Sequence, residues 1–330
     1  MGQTVLVCGG AGYIGSHLVK ALRQEGREHL VLDNFSKGHR AAVAGSPVVE
    51  ADLNDLSAVK EVFARNSIGC VLHFAASIEV GESVKDPAPY WRNNVLAVHN
   101  LLGAMREAGV GQFVFSSTAA VYGEPQQVPI PEDHPKDPTN PYGDTKLAVE
   151  RMVAAYGRAY GLRSVVFRYF NACGADPDGV FGDDHDPETH LIPRVLLAVA
   201  GRAPEITVFG TDYPTEDGTC VRDFVHVSDL ASAHVRAVDH LEAGGESKTF
   251  NLGNGTGASV RQVLHAVEKV TGLPVPVVYG ERRAGDPARL VADSSAVRRE
   301  WGWEPRYPDV RDAVRHAWDW MQAHPDGYGD

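Results

Sequence analysis

An apolar run, VLVCGG at 5–10, passes straight into the turn GGAGYIG at 9–15, and a helical pattern begins at once. Little else restricts this chain so strongly. Glycines at 9, 12 and 15 permit a tight turn and a close approach of ligand to backbone, and the helix N-terminus that follows favours negative charge. About 20 residues further on, Asp33 ends a second apolar run, HLVLDN at 29–34. A carboxylate there accepts hydrogen bonds from an adenosine ribose and repels a 2′-phosphate, so NAD is favoured over NADP. The nearby Lys37 acts in the opposite direction. The competing reading, a glycine-rich structural turn beside a surface aspartate, loses to strand, turn, helix and acid in that order.

The same alternation continues. Further strands are expected at 46–53, 70–76, 112–118 and 163–171, with helices at about 17–26, 55–66, 88–109 and 142–161. The strand runs are continuously apolar, as strands buried on both faces are. The expected fold class is α/β: a Rossmann-type, doubly wound parallel sheet. After Asn171 the texture changes. GADPDGVFGDDHDPETH reads as a long loop. A helix at 191–201, a strand at 206–209, a strand and helix in 221–241, and a strand at TFNLGNG follow. The expectation is a nucleotide-binding domain at 1–171, with return segments at about 221–255. A smaller mixed α/β substrate domain occupies 172–330.

Bulk properties exclude several classes. The formal net charge of −12 and the lack of a basic stripe oppose nucleic-acid and anionic-lipid binding. No apolar run reaches the ~18 residues of a membrane span. The N-terminus carries no secretory pattern, and Gly2 is not followed by a myristoylation pattern. Cys8, Cys70, Cys173 and Cys220 are far apart, without CxxC, so no zinc site or disulfide framework is expected and a reducing cytoplasm is.

In NPYGDTK (140–146), Pro141 suits a first helical turn with Asn140 as its cap. Tyr142 and Lys146, four apart, share a helix face. Only ~0.1% of an ordinary tyrosine is ionised at pH 7. A useful base needs its pKa lowered by ~3 units, about 4 kcal/mol. A nearby ammonium in a low-dielectric site, together with a positively charged nicotinamide, supplies that. Alone, the pair reads as surface decoration. It is joined by Thr118, whose hydroxyl ends the fifth strand, where ligands of a doubly wound sheet bind.

These residues resemble the extended short-chain dehydrogenase/reductase superfamily. GGAGYIGSH, HFAASIEVGES, FSSTAAVYG, RYFNACGA, YPTEDGTCVRDFVHV and RRAGDPARLVAD narrow the likeness to the UDP-glucose 4-epimerase family over nearly the whole chain. The resemblance implies interconversion of UDP-galactose and UDP-glucose. It implies tightly bound NAD and a transient 4-keto sugar. Tyr142 would be the base, Lys146 would bind the nicotinamide ribose and lower the pKa of Tyr142, and Thr118 would hydrogen-bond the reacting oxygen. Cofactor contacts would come from Gly9, Gly12, Tyr13, Ile14, Gly15, Asp33, Asn34, Asp52, Leu53, Phe74, Ala75, Ala76, Asn93, Ser116 and Tyr169. On the substrate side, Asn171, Arg222 and Arg283 would meet the diphosphate, Asp286 the uridine ribose and Phe209 the uracil. His190 and Leu191 would line the pocket. A homodimer through the helices near 88–109 and 142–161 is implied.

Two positions depart from the family pattern. A lysine that follows HFA in some members is Ile78 here, which bears on NAD retention. A bulky tyrosine at the sugar gate of narrow-specificity members is Leu290, which predicts room for N-acetylated sugars. UDP-N-acetylhexosamine or UDP-pentose epimerases are the nearest alternatives. A 4,6-dehydratase needs carboxyl groups where Ala119 and Ala120 stand. A decarboxylase lacks its Glu, and a non-catalytic relative commonly loses the Tyr or Lys. A metal hydrolase on Asp183–His190 is disfavoured: His185 and His190 show no recognised ligand spacing, a solvated acidic loop explains them, and no metal is expected.

Overall fold

The computed structural model describes residues 3–283 and 286–329. Gly2, and Ala284 and Gly285 of RRAGDPARLVAD, lie outside the described residues.

Strand β1 (Thr4–Cys8) leads into helix α1 (Tyr13–Gln24), then β2 (His29–Asp33), β3 (Val48–Glu50), α2 (Leu56–Arg65) and β4 (Ile68–His73). A long helical run follows: α3 (Val80–Lys85), α4 (Pro87–Tyr90), a π-helical turn (Trp91–Leu96) and α5 (Ala97–Glu107). Next come β5 (Gln112–Thr118), a 3-10 turn (Ala119–Tyr122), α6 (Pro141–Tyr160) and β6 (Arg163–Tyr169). The expected strand at 163–171 therefore divides. Its end becomes β7 (Asn171–Cys173), which pairs away from the main sheet.

The later chain forms α7 (Leu191–Val199), β8 (Ile206–Phe209), β9 (Val221–Arg222), β10 (Phe224–His226), α8 (Val227–Glu242) and β11 (Lys248–Leu252). It closes with β12 (Ala258–Ser259), α9 (Val260–Thr271), β13 (Val277–Gly280), β14 (Arg289–Leu290), α10 (Ser295–Trp301) and α11 (Val310–Ala323). The main sheet has seven parallel strands in the order β11-β6-β5-β4-β1-β2-β3. Strand order reverses beside β1, between β1 and β4, so the crevice that takes ligands opens at their C-terminal ends.

The absence of apolar–polar alternation has a direct cause. In β1, Val5 and Val7 pack into a core with α1 and α8, while Leu6 and Cys8 pack into a second core with α2, α5 and α6. Both faces are dry, so every residue from Val5 to Cys8 is apolar. The third strand, expected over 46–53, keeps only three residues. It is an edge strand, Val48 is exposed, and Asp52 accepts the Asn54 N–H at 2.7 Å to start a turn instead. A third core, with Ile192, Val208, Val267 and Val314, lies under α7, α9 and α11. Small sheets β7–β10, β8–β13 and β12–β9–β14 surround it.

One buried polar network ties β6, α6 and β11 together. Arg168 on β6 donates to both oxygens of Glu150 on α6, at 2.9 and 2.7 Å, and to the Tyr122 hydroxyl at 2.8 Å. Ser117 donates to Glu150, and Tyr122 donates to Asn251 on β11 at 2.6 Å. No described helix is long and apolar enough to cross a membrane.

Candidate active site

The glycine turn is built by close backbone contact. Gly9 sits at φ 77°, and a Cβ there would stand 2.5 Å from the Ala75 nitrogen. A Cβ on Gly15 would stand 2.2 Å from the Gly9 carbonyl oxygen. Gly12 occupies the N-cap of α1 with no side chain in front of the helix end. Asp33 is tied to this turn: its carboxylate accepts the Ala11 N–H and the Phe35 N–H, each at 2.9 Å. Burial pushes its pKa up, and these N–H groups pull it back. Asp52 lies at the neighbouring strand end. Burial acts against its charge, but hydrogen bonds from Asn54 and Asn34 hold it below the usual carboxylate range.

Helix α6 presents the candidate catalytic pair. Asn140 accepts the Gly143 N–H at 2.9 Å, Pro141 opens the helix, and Gly161 ends it in the left-handed conformation. Lys146 is buried. Its ammonium donates to the Ser116 carbonyl oxygen at 2.9 Å and lies 5.9 Å from the centroid of the Tyr142 ring. Thr118 accepts the Ala120 N–H at 3.1 Å, which leaves its own proton for another acceptor. Burial pushes the Tyr142 phenol up to about 12, against a lowering hydrogen bond from Thr118, while Glu79 adds to the rise. Burial also takes Lys146 down to about 7. The lowered tyrosine expected from the sequence therefore requires positive charge beyond what burial leaves.

Two observations fit a bound dinucleotide. Lys146 has three donors and one partner, and the buried Ser116 hydroxyl, beside the Tyr169 phenol, makes no hydrogen bond of good geometry. Tyr169 itself is oriented. His234 donates from Nδ1 to the Leu230 carbonyl at 2.8 Å, so its Nε2 accepts the Tyr169 hydroxyl at 3.1 Å.

Asn94 and Thr145 were not singled out by sequence reasoning. The π-helical turn carries Asn93 and Asn94 together. Asn94 accepts the Ser77 N–H at 2.8 Å and donates to Thr145 at 3.1 Å, pinning the segment after β4 to α6. Asn93 donates to the Ser77 hydroxyl at 3.1 Å. Among the other expected cofactor residues, Leu53 points into the core, Ile14 and Phe74 pack against the α1 side of the sheet, and Ala76 is half-buried.

A cleft of about 250 Å³ runs from the glycine turn to the second lobe, lined in part by Tyr13, Asn171, His190, Phe209, Arg222 and Arg283. Leu191, opening α7, also lines it. The Arg283 guanidinium lies 3.9 Å over the Phe209 ring. Arg222 and Asp286, expected on different parts of a ligand, are paired with each other. Leu290 pairs in register with Arg222 and packs against the cluster of Ala119, Val121, Tyr122, Ile130 and Leu147. A larger cavity of about 510 Å³, near Asn254, Arg261 and Arg311, contains none of the expected site residues.

The segment 183–190 is a loop only partly solvated: Asp186, Pro187 and Thr189 are exposed, but Asp183, His185, Glu188 and His190 are not. Asp183 and Glu188 side chains are 8% and 9% exposed. Lys37 donates to the Asp186 carbonyl at 2.8 Å, and His39 to the Asp184 carbonyl at 3.1 Å. Both histidines are raised against burial by their carboxylate neighbours, His190 to about 9.

Residues 5–253 match the NAD dependent epimerase/dehydratase family. A UDP-glucose 4-epimerase of Halalkalibacterium halodurans is 51% identical over 308 residues, 93% of this chain and 92% of that protein. A UDP-glucose 4-epimerase of Rhizobium leguminosarum bv. trifolii is 53% identical over 306 residues, 93% and 94% of the two chains. The crystal structure of a Brucella ovis UDP-glucose 4-epimerase in complex with NAD superposes with a TM-score of 0.94 at 48% identity, covering 96% of this chain and 98% of that one. That of a Bifidobacterium longum UDP-glucose 4-epimerase in complex with NAD+ and UDP gives 0.93 at 38% identity, covering 98% and 99%.

Proposed function

Because the chain belongs to the NAD dependent epimerase/dehydratase family, we propose that it is a UDP-glucose 4-epimerase that interconverts UDP-galactose and UDP-glucose. The observation that carries this reading is the convergence of Thr118, Tyr142 and Lys146 at the C-terminal end of β5, in the same parallel sheet whose β1 and β2 end in the glycine turn and Asp33. Bound NAD supplies the acceptor for the hydrogen on C4 and returns it. The Tyr142 oxygen takes the proton of the 4-hydroxyl and gives it back to the same oxygen after the 4-keto sugar has presented its other face. Thr118 holds that oxygen with the proton its own backbone contact leaves free. Lys146 donates to the nicotinamide ribose and, with the cofactor's positive charge, lowers the Tyr142 phenol from the level that burial sets. The turn at 9–15, with Tyr13 and Ile14, takes the pyrophosphate; Asp33 and Asn34 take the adenosine ribose, and Asp52 the adenine. Arg283, Arg222 and Asn171 hold the diphosphate, and Phe209 the uracil. Asp286 shares its carboxylate between Arg222 and the uridine ribose.

The dehydratase alternative finds no support. Ala119 and Ala120 form the 3-10 turn after Thr118, and no carboxyl group stands there. A second substrate class, UDP-N-acetylhexosamine, is favoured by the modest size of Leu290, which packs against the cluster that follows Thr118. A homodimer is favoured by exposed Val84, Trp91 and Leu96 on the helical run 80–107 and by exposed Tyr160 at the end of α6. The buried, unpaired cysteines suit a reducing cytoplasm. Purified protein incubated with UDP-galactose, without added NAD, is expected to yield UDP-glucose by chromatography. No conversion even with added NAD would reject the reading. Conversion only with added NAD would point to weak retention at Ile78.

A further inference from the structure

The segment 183–190 gathers four side chains whose chemistry the proposed epimerisation does not use as a set. One ligand atom from each of Asp183, His185, Glu188 and His190 lies within 4.8 Å of all the others. His190 Nδ1 is 3.0 Å from Glu188 Oε1 and 3.5 Å from Asp183 Oδ2, and His185 Nδ1 touches the other oxygen of Asp183. We propose that Asp183, His185, Glu188 and His190 form a binding site for a divalent transition-metal ion of the Zn²⁺ class, at the wall of the nucleotide cleft.

Geometry supports the assignment. Bonds of about 2.0–2.2 Å to nitrogen and oxygen in a tetrahedron place the donors roughly 3.3–3.6 Å apart. His190 Nδ1 already stands near that spacing from Glu188 and Asp183, and all four donors lie within 4.8 Å of one another, so they can converge on one ion by side-chain movement. The donor set, two imidazoles and two carboxylates, suits Zn²⁺, Co²⁺ or Ni²⁺. Mg²⁺ and Ca²⁺ prefer six or more oxygens.

Charge supports it as well. Two largely buried carboxylates this close repel one another and need positive charge nearby. An ion of charge +2 held between them supplies it.

The frame is held from outside the cluster. Lys37 and His39 donate to the carbonyls of Asp186 and Asp184, the Asp184 carboxylate accepts the Tyr328 N–H at 2.9 Å, and the His185 ring meets the Tyr13 ring edge-on at 6.3 Å. A site assembled on anchored backbone loses little conformational freedom when it closes. The ion would grip His190 and so fix one wall of the cleft that begins at Tyr13.

The test is calorimetric titration of the EDTA-treated, desalted full-length protein with ZnCl₂, beside His185→Ala and Glu188→Gln. Expected are one Zn²⁺ per chain, affinity at least about 10-fold weaker in both variants, and no saturable heat with MgCl₂. Titration with CoCl₂ should give the intense visible absorption of a tetrahedral site, weakened in both variants. Far-UV circular dichroism confirms that each variant is folded. Absence of saturable Zn²⁺ binding up to about 1 mM, which is the weak end of useful affinity, overturns the proposal. So does undiminished binding by both variants, which would place the ion elsewhere.

Discussion

Replacing Lys146 with Met tests how the catalytic tyrosine is charged. Burial sets the Tyr142 phenol at about 12. Half-ionisation at pH 7 therefore needs roughly 5 pKa units, about 7 kcal/mol. The Lys146 ammonium lies 5.9 Å from the centre of the phenol ring. At an effective dielectric of about 20, a unit charge at that distance contributes about 3 kcal/mol, or about 2 pKa units. A phenolate forming beside the amine also draws it back to its charged form, although burial alone holds it near 7. The sign follows directly. Rate tracks the fraction of phenolate, the cation lowers the phenol's pKa, and its loss moves the rising limb of the pH profile upward. The Met variant should be about 100-fold slower than the native protein below both limbs, with the deficit shrinking as pH rises. Turnover of UDP-galactose should be followed across that range, per mole of NAD measured in the same preparation, so that lost cofactor is not counted as lost rate. An equal deficit at every pH would refute the electrostatic reasoning and leave Lys146 a purely positional role.

Four other changes test the site and its frame. Gly15→Ala drives a Cβ to within 2.2 Å of the Gly9 carbonyl, which cannot yield without opening the turn, so NAD per chain and Tm should both fall; unchanged values would refute the packing account. Glu150→Gln breaks a buried ion pair whose side chains are 9% and 4% exposed, and urea unfolding should register a loss of about 3–5 kcal/mol rather than under about 1. Leu290→Tyr should abolish turnover of UDP-N-acetylgalactosamine while retaining that of UDP-galactose; parallel assays that show equal effects on both would dismiss the gate. Leu96→Arg should convert a dimer to a monomer in light scattering, and a native protein already monomeric would dispose of that interface.

The parts of this site that are legible in the sequence are those encoded by short spacings. The glycine turn, Asp33, the capped start of α6 and the four-residue step from Tyr142 to Lys146 each depend on one element or one strand–turn–helix unit. The hidden parts depend on contacts between distant segments. Tyr122 meets Asn251 across 129 residues, and nothing local to either announces it. Asn94 reaches Ser77 and Thr145 from a π-helical turn whose extra residue leaves no periodic signal of its own. Composition made 183–190 look solvated because its acids and Pro187 are local, whereas the groups that anchor it, Lys37, His39 and Tyr328, lie about 145 residues away. The raised phenol of Tyr142 has the same origin. Helical spacing gives the neighbour, but burial comes from the whole fold.

The position of β11 has a consequence for how the chain is made. This strand completes the edge of the main sheet beside β6, yet about 80 residues, α7 and α8 among them, are translated between them. At the usual ~5–20 residues per second, the ribosome leaves the β6 edge unpaired for about 4–16 s. During that time the network around Arg168 also lacks Asn251. An apolar strand with free backbone groups is a template for pairing with another chain. The interval between β6 and β11 is therefore the stage at which a nascent copy is most exposed to misassembly, and a chain arrested before Lys248 should aggregate where one arrested after Leu252 and clear of the exit tunnel does not.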